Sequence, residues 1–339
     1  MKIVLYKVLI FLKIHRLFQY VNRNTIIILM YHGFTDHDHR GVENYLGFHI
    51  PKSAFEKQLQ YLQKDYNIIS LKKAVDIIKN KKKIPKNSIV LTIDDGYNSN
   101  YSLAYPIIKK LRAPATIFLT TSFVDEQKFL WVDRLEYAIN NTKEEKLNID
   151  NNKYILSDTN TKLDCVRSIK SKLKKIKPGK RMVILEGIEN ELGAKLNSNN
   201  APDIYRPLSW NKIKEMKQSG LVNFGSHTHT HPILSQCNKK QIKNELLFSK
   251  NLLEREIGIK CNDFAYPNGQ PEDFSEEVVG CLKRINYKCA LTTVAGKNNP
   301  DTNLYKLKRY PVSNRDDLVE FKIILSGISS FLNKIKNLI

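Results

Sequence analysis

The amino-acid sequence predicts an α/β fold in which short buried strands alternate with helices. Continuous apolar runs of five or six residues recur along the chain, and Ser88–Ile93 is the clearest of them. Several of these runs are followed by segments whose apolar residues recur at intervals of three and four. This alternation is typical of parallel βα units, so the sheet is either a barrel or doubly wound.

The predicted elements follow one another with few breaks. Strands are predicted at residues 26–30, 68–70, 88–93, 115–119, 221–224, 263–266 and 288–293. Helices are predicted around residues 55–62, 71–79, 103–111, 210–219 and 239–257. In folds of this kind, functional side chains gather where the strands end, at their carboxyl ends.

Residues 125–200 interrupt the alternation. This region is rich in Lys, Asn and Glu, and its periodicity is helical around residues 163–176 and 181–192. We interpret it as a helical insertion within a barrel domain of residues 23–315. An insertion near the active face could contact substrate.

The two ends of the chain, residues 1–22 and 316–339, are predicted to be amphipathic helices with basic residues. The longest uninterrupted apolar run near the start, Val8–Leu12, is too short for a signal-peptide core or a membrane span. Each end either lies on an anionic membrane surface or packs on its own domain. The sequence thus predicts a cytoplasmic protein. If its ends lie on an anionic membrane surface, the protein is peripheral on the inner membrane face.

The composition is basic: 55 Lys and Arg against 34 Asp and Glu give a formal charge of +21. The lysines are dispersed, as compositional bias produces, and no nucleic-acid-binding motif accompanies them, so we expect no nucleic-acid partner. The five cysteines show no close metal-ligand spacing and are odd in number. They indicate free thiols in a reducing compartment.

Two polar segments follow predicted strands. Asp94-Asp95-Gly96 ends one strand, and His227-Thr228-His229-Thr230-His231 follows another. Together they offer the nitrogen and oxygen ligands of a divalent metal such as zinc, with one carboxylate left for proton transfer. Either segment alone could be structural, since Asp-Asp-Gly also forms plain turns.

These motifs resemble those of the polysaccharide deacetylase family of carbohydrate esterases, over roughly residues 26–125 and 205–312. The resemblance implies a distorted (β/α) barrel with seven strands that binds one divalent metal, expected to be zinc. It implies that Asp94 is the general base and that the ligands are Asp95, His227 and His231. His229 falls outside the pattern and is either a substrate contact or a neighbour of the ligands.

The third motif of the family departs from its usual form. Residues 264–269 read Phe-Ala-Tyr-Pro-Asn-Gly, which resembles the biofilm-polysaccharide branch and lacks the arginine that normally holds the base. Arg309 is the candidate substitute, with an exposed cation as the alternative. Backbone N–H groups near Asn268 could stabilise the oxyanion. Tyr97, Asn268 and Arg309 are therefore further candidates for contact with substrate or oxyanion.

No histidine follows His231, so the usual C-terminal general acid of the family is absent. In the resembling branch the motifs are permuted, and a Tyr-His pair near the N-terminus takes this role. Tyr31-His32 matches it, which implies His32 as the acid, against the alternative of a structural histidine. Trp131 and Trp210 could form a sugar platform, although core aromatic residues are an equal alternative.

The resemblance implies a hydrolase that removes an acetyl group from a bacterial polysaccharide, lipopolysaccharide or lipid-linked sugar, with N-acetyl expected ahead of the alternative, O-acetyl. The alternative is a metal-containing carbohydrate-binding barrel at the membrane surface that lacks turnover. Intact Asp94 and His32 weigh against the alternative. A phosphatase would usually need a second metal or a phosphate-binding loop, and the sequence shows neither.

Overall fold

Parallel strands form the centre of the protein, in a computed structural model that describes residues 2–149, 152–314, 317–329 and 331–332. The strands within these residues are β1 (Ile26–Tyr31), β2 (Gly33–Thr35), β3 (His49–Pro51), β4 (Asn67–Ile68), β5 (Ser88–Ile93), β6 (Ala115–Leu119), β7 (Lys146–Ile149), β8 (Asn152–Ile155), β9 (Val222–Ser226), β10 (Asp263–Ala265), β11 (Cys289–Leu291) and β12 (Tyr310–Pro311). The α-helices are α1 (Lys2–Phe11), α2 (Ile14–Val21), α3 (Lys52–Asp65), α4 (Leu71–Lys79), α5 (Tyr105–Lys110), α6 (Thr121–Asp125), α7 (Trp131–Asn141), α8 (Thr159–Lys174), α9 (Pro178–Glu191), α10 (Trp210–Gln218), α11 (Lys239–Ile257), α12 (Glu276–Arg284) and α13 (Leu318–Ser326).

The main sheet curls into a distorted barrel. Its strand order is β11-β10-β9-β6-β5-β1-β12, all neighbours are parallel, and β4 pairs with the start of β5. The segment around β12 closes the ring, because Leu307 bridges to Leu291 and Tyr310 pairs with Leu29. The predicted fold class, an α/β barrel of seven strands, is confirmed.

Alternation along each strand decides which side chains enter the barrel. Ile28 and Val90 pack with Phe118 inside it, whereas Leu29 and Leu91 pack outward against the helices. Both faces of these strands are therefore buried, which explains their continuous apolar sequences.

The insertion between β6 and β9 has its own apolar core and is more than helical. Helices α7, α8 and α9 surround this core, and an antiparallel hairpin of β7 and β8 joins them. A salt bridge of 3.0 Å between Lys174 of α8 and Asp273 attaches the insertion to the barrel.

The terminal segments pack on each other. The helix predicted over residues 1–22 is divided in two, since Lys13 adopts a left-handed φ of 56° between α1 and α2. Both helices pack against α13, around Tyr6 and Ile323. Residues 333–339 of the predicted C-terminal helix lie outside the described residues. Among the helices that are described, none is long and apolar enough to cross a membrane.

Candidate active site

The carboxyl ends of three strands, β1, β5 and β9, bring the polar motifs together. Val90 and Thr92 of β5 face the inside of the barrel, and Asp94, two residues after Thr92, continues this alternation. His32 directly follows β1. His227 follows β9, where glycine at 225 is required because a Cβ there would lie 2.6 Å from the Phe118 ring. The period of two along a strand therefore directs Asp94 into the mouth of the barrel.

Asp95, His227 and His231 form a buried triad. The Nε2 atoms of His227 and His231 each lie 3.5 Å from Oδ1 of Asp95. Asp95 and His231 adopt positive φ angles of 77° and 56°, a conformation that costs free energy in residues other than glycine. Such strain at adjacent buried polar residues is typical of functional sites.

The triad has the chemistry of a metal site. Oδ1 of Asp95 is buried and has no hydrogen-bond partner among the described residues. Burial and the charge of Asp94 raise the pKa of Asp95 well above its usual value, so an ionised Asp95 requires a cation beside it. Burial lowers the pKa of both histidines, which keeps them neutral, the form that binds metals. Nδ1 of His227 lies 2.8 Å from the Ala265 carbonyl oxygen, which leaves Nε2 for a ligand bond.

A second group of possible ligands, His37, His39 and Glu43, lies on the loop between β2 and β3. The two ring nitrogens of His39 are already within hydrogen-bond distance of Glu43 and Asn44, at 3.1 and 2.9 Å. This network is satisfied without an ion, unlike that of the triad.

Asp94 is held by Arg309 in a bidentate salt bridge. Nη1 and Nη2 of Arg309 donate to the two carboxylate oxygens at 2.7 Å each, and Nε donates to the Thr292 carbonyl oxygen at 2.8 Å. Burial alone would raise the pKa of Asp94, but the charge of Arg309 and its hydrogen bonds outweigh burial and lower that pKa to about 2. Arg309 is fully buried and holds the Asp94 carboxylate, so it is not an exposed cation.

His32 lines the cleft above the triad. Its ring stacks on Phe48 with centroids 4.5 Å apart, and its carbonyl oxygen accepts a hydrogen bond from Asn100. Burial lowers the pKa of His32 to about 4, although the charge of Asp94 partly opposes this. Nδ1 of His32 is buried and has no partner within the described chain. The ring is therefore held in place by packing, with a nitrogen available for proton transfer.

Tyr97 and Asn268, the remaining candidates from the sequence, differ in whether a hydrogen-bond donor is available to a ligand. The Tyr97 hydroxyl donates to the Asp133 carboxylate at 2.9 Å, so it is engaged with the insertion. Asn268 lines the cleft with a positive φ of 60°. Its backbone N–H makes no hydrogen bond within the described part of the chain, which leaves it available to an oxyanion.

Three other candidates point away from the cleft. Nδ1 of His229 lies 3.0 Å from the Thr121 hydroxyl, and its Nε2 lies 3.2 Å from Glu126. Trp131 is buried beneath Arg181, and Nε1 of Trp210 donates to Asp125. None of the three lines the cleft, so the sugar-platform interpretation of the tryptophans is wrong.

The cleft has a volume of about 320 Å³, within the range of small-molecule sites. Part of its wall comes from the insertion, which supplies Asp133, Glu136, Lys170 and Lys174. Burial lowers the pKa of Lys170 to about 8. Sequence reasoning did not identify these residues, because no local pattern in a helical segment shows which face meets another domain.

Known proteins share both the sequence and the fold of this chain. The polysaccharide deacetylase family matches residues 81–290, which is more than half of the chain. The putative polysaccharide deacetylase YxkH of Bacillus subtilis is 23% identical over 287 residues, covering 84% of this chain and 71% of that protein. The poly-β-1,6-N-acetyl-D-glucosamine N-deacetylase of Staphylococcus aureus is 36% identical over 89 residues, covering 26% of this chain and only 30% of that protein.

Solved structures show the same fold at low sequence identity. The Streptococcus pyogenes deacetylase PplD in complex with acetate has a TM-score of 0.60 and 21% identity, covering 89% of this chain and 99% of that chain. IcaB from Ammonifex degensii has a TM-score of 0.59 and 18% identity, covering 89% of this chain and 97% of that chain.

The barrel, the triad and the Asp94–Arg309 pair thus define a carbohydrate-modifying hydrolase of the deacetylase type. The chain belongs to the polysaccharide deacetylase family, and it is a carbohydrate deacetylase. The resemblance noted in the sequence is confirmed.

Proposed function

We propose that the protein is a metal-dependent hydrolase that removes N-acetyl groups from a bacterial polysaccharide, lipopolysaccharide or lipid-linked sugar. The strongest support for the proposal is the geometry around Asp95. An unpartnered carboxylate oxygen of Asp95 faces two neutral imidazoles, beside a second carboxylate that Arg309 fixes.

Asp95, His227 and His231 would hold the metal, which we propose is zinc because two nitrogen ligands and one oxygen ligand suit it. When bound, a divalent cation polarises the acetyl carbonyl and lowers the pKa of water. The raised pKa of Asp95 supports this assignment, since a cation would compensate the buried charge.

The protein's own side chains would move the protons. Asp94 would accept the proton of the attacking water, and Arg309 holds the carboxylate in position for this step. The carbon–nitrogen bond then breaks as the departing nitrogen receives a proton from His32. Asp94 and His32 both line the cleft, so the proton that Asp94 accepts would replace the one that His32 donates. The backbone N–H of Asn268 would stabilise the oxyanion.

A relative and the residues of the cleft wall support a glycan as the substrate. One relative is named for the N-deacetylation of poly-β-1,6-N-acetyl-D-glucosamine, and the similarity to it includes less than a third of its length. The polar residues of the insertion in the cleft wall would contact the sugar hydroxyl groups. We further propose a cytoplasmic location, which the five free thiols support.

Release of acetate tests the proposal. Metal-loaded and chelated protein are incubated with N-acetylhexosamine glycans, O-acetylated glycans and lipid-linked sugars, and acetate and new free amines are measured together. Equal amounts of acetate and amine, released only with metal, support an N-deacetylase. Acetate without amine indicates an O-deacetylase. Binding of a glycan without release by metal-loaded protein would favour the non-catalytic binding barrel.

A further inference from the structure

Exposed apolar side chains are concentrated at the start of the chain. Within the described residues, nine of the thirteen exposed large hydrophobic side chains lie between residues 3 and 21. We call this the N-terminal apolar face; its members are Ile3, Val4, Leu5, Val8, Phe11, Leu12, Leu17, Tyr20 and Val21. A concentration of exposed large apolar side chains is typical of a protein or membrane interaction site.

The face is not the packing surface of the two helices. On α1, Tyr6 and Leu9 pack inward against α13, whereas Val4, Val8 and Phe11 recur at helical spacing on the outside. On α2, Ile14 and Phe18 face α13, and Leu17 and Val21 face outward. Each helix therefore has one apolar side that is used in packing and a second that is left exposed.

Positive charge borders the face. Lys7, Lys13 and Arg16 are exposed among its apolar residues, and the Arg23 guanidinium lies 3.6 Å from the centre of the Tyr20 ring. No acidic residue precedes Asp36 in the sequence. Apolar side chains flanked by the cations of the same helices are complementary to an anionic lipid surface.

A second copy of the chain is a poorer occupant of the same face. A twofold contact would bring Lys7, Lys13 and Arg16 of the two copies together, and no carboxylate of the segment would neutralise them. We propose that the N-terminal apolar face docks on an anionic membrane surface, with α1 and α2 lying in the interface. With ten and eight residues, the two helices are each shorter than the roughly 20 residues that span a bilayer.

Contacts of α2 relate this face to the cleft. Gln19 donates to the Asp65 carbonyl oxygen at the end of α3, and Asn22 donates to the Ser326 carbonyl oxygen at the end of α13. Asn22 precedes β1 by only four residues, so α2 ends near the amino ends of the strands. The triad lies at their carboxyl ends, and the six residues of β1 span about 20 Å between the two. Docking through α2 thus leaves the cleft open to a glycan that extends into solvent.

Vesicle binding tests the docking surface. Full-length protein is sedimented with vesicles of phosphatidylglycerol and phosphatidylethanolamine, and in parallel with phosphatidylcholine vesicles. We expect binding to the anionic vesicles that weakens with salt, and little binding to phosphatidylcholine. No binding to anionic vesicles would overturn the proposal.

Serine substitutions at the most exposed apolar positions should remove the binding. The triple variant is Phe11→Ser, Leu17→Ser and Val21→Ser, at side chains that are 84%, 64% and 74% exposed. We expect it to bind anionic vesicles at least about tenfold more weakly. The matched control replaces three exposed apolar residues elsewhere, Ile155→Ser, Val183→Ser and Phe248→Ser, and should bind like the wild type.

A charge variant separates the contribution of the cations. Its substitutions are Lys7→Gln, Lys13→Gln and Arg16→Gln, and the control is Lys175→Gln, Lys177→Gln and Lys180→Gln on the exposed surface near α8 and α9. The first set should weaken binding to anionic vesicles about tenfold or more, and the control only slightly. Equal losses in the two sets would indicate general attraction by the net charge and would overturn the proposed face.

Two further readouts complete the test. Loss of self-association in the Phe11, Leu17 and Val21 variant, without any vesicle binding by the wild type, would identify a second copy as the occupant. Acetate release from a soluble glycan and unfolding in urea should be unchanged in this variant. Docking does not depend on the proposed deacetylation, so either proposal can fail while the other stands.

Discussion

The buried pair of Asp94 and Arg309 allows a quantitative prediction for Arg309→Met. Both side chains are fully or almost fully buried, and the guanidinium is the cation that faces the carboxylate at 2.7 Å. Methionine fills much of the same space but removes the charge and the hydrogen bonds to Asp94 and Thr292. The variant therefore leaves a buried carboxylate without its partner.

The expected loss of stability follows from this burial. Removing one partner of a buried ion pair costs about 3–5 kcal/mol. Replacing Asp94 by Asn as well removes the uncompensated charge, so the double variant should be more stable than Arg309→Met alone. A double-mutant cycle by urea unfolding at pH 7 measures this coupling, which we expect to be about 2 kcal/mol or more.

The contribution of the Asp94–Arg309 pair to stability should decrease at acid pH. In the wild type, the pKa of Asp94 is lowered from 3.8 to about 2, so the pair contributes about 2 kcal/mol of stability at neutral pH. This contribution is present above the unfolded pKa and is lost as the pH falls toward 2. In Arg309→Met, burial raises the pKa of Asp94 instead, so the acid limb of kcat/KM should move to higher pH.

A second ion pair, in which Glu189 is fully buried and Arg134 is 13% exposed, provides the control. Arg134 donates to Glu189 in the insertion from Nε at 2.8 Å and from Nη2 at 2.5 Å. Arg134→Met should lower the free energy of unfolding by a similar amount and leave the pH profile of acetate release unchanged. An unchanged acid limb in Arg309→Met, or an equal shift in Arg134→Met, would refute the reasoning for Asp94.

Three further predictions concern other parts of the structure. Burial lowers the pKa of His49 to about 3, below its unfolded value, so this residue destabilises the fold as the pH falls from 6.5 toward 3. His49→Asn should flatten the decline between pH 6.5 and 4.5 in urea unfolding, and an unchanged slope would contradict this. Asp273→Asn removes the ionic partner of Lys174 between barrel and insertion, so we expect KM to rise by up to roughly fivefold with kcat nearly constant; a fall in kcat alone would exclude a role in substrate binding. Iodoacetamide should modify the half-buried Cys237 before the four buried cysteines, as peptide mass spectrometry can show. Earlier modification of any of those four would contradict the burial.

The strands and the motifs after them could be predicted because their signals are local. Ser88–Ile93 and Ala115–Leu119 are buried on both faces, so their sequences are continuous apolar runs of strand length. The residues that follow a parallel strand meet at one edge of the sheet whatever the remaining chain does. The proximity of Asp95 to His227 therefore required no knowledge of the intervening insertion.

Other features depend on contacts between distant parts of the chain. Arg309 lies 215 residues from Asp94 in sequence, on a segment where β12 has only two residues, too few to give a strand pattern. The strands β7 and β8 have only four residues each and are exposed on most of them, so the alternation of Leu147 and Ile149 is too short to indicate a strand by itself. The cleft residues of the insertion, such as Lys170, depend on how α8 docks on the barrel.

The central claim is that Asp94 transfers protons while Asp95 holds the metal. The most direct test measures zinc content and acetate release together for the wild type, Asp94→Asn and Asp95→Asn, on one N-acetylated glycan. We predict that Asp94→Asn retains one zinc per chain but releases acetate at least about a hundredfold more slowly, whereas Asp95→Asn loses both zinc and activity. Loss of zinc in Asp94→Asn, or wild-type acetate release by that variant, would contradict the assignment.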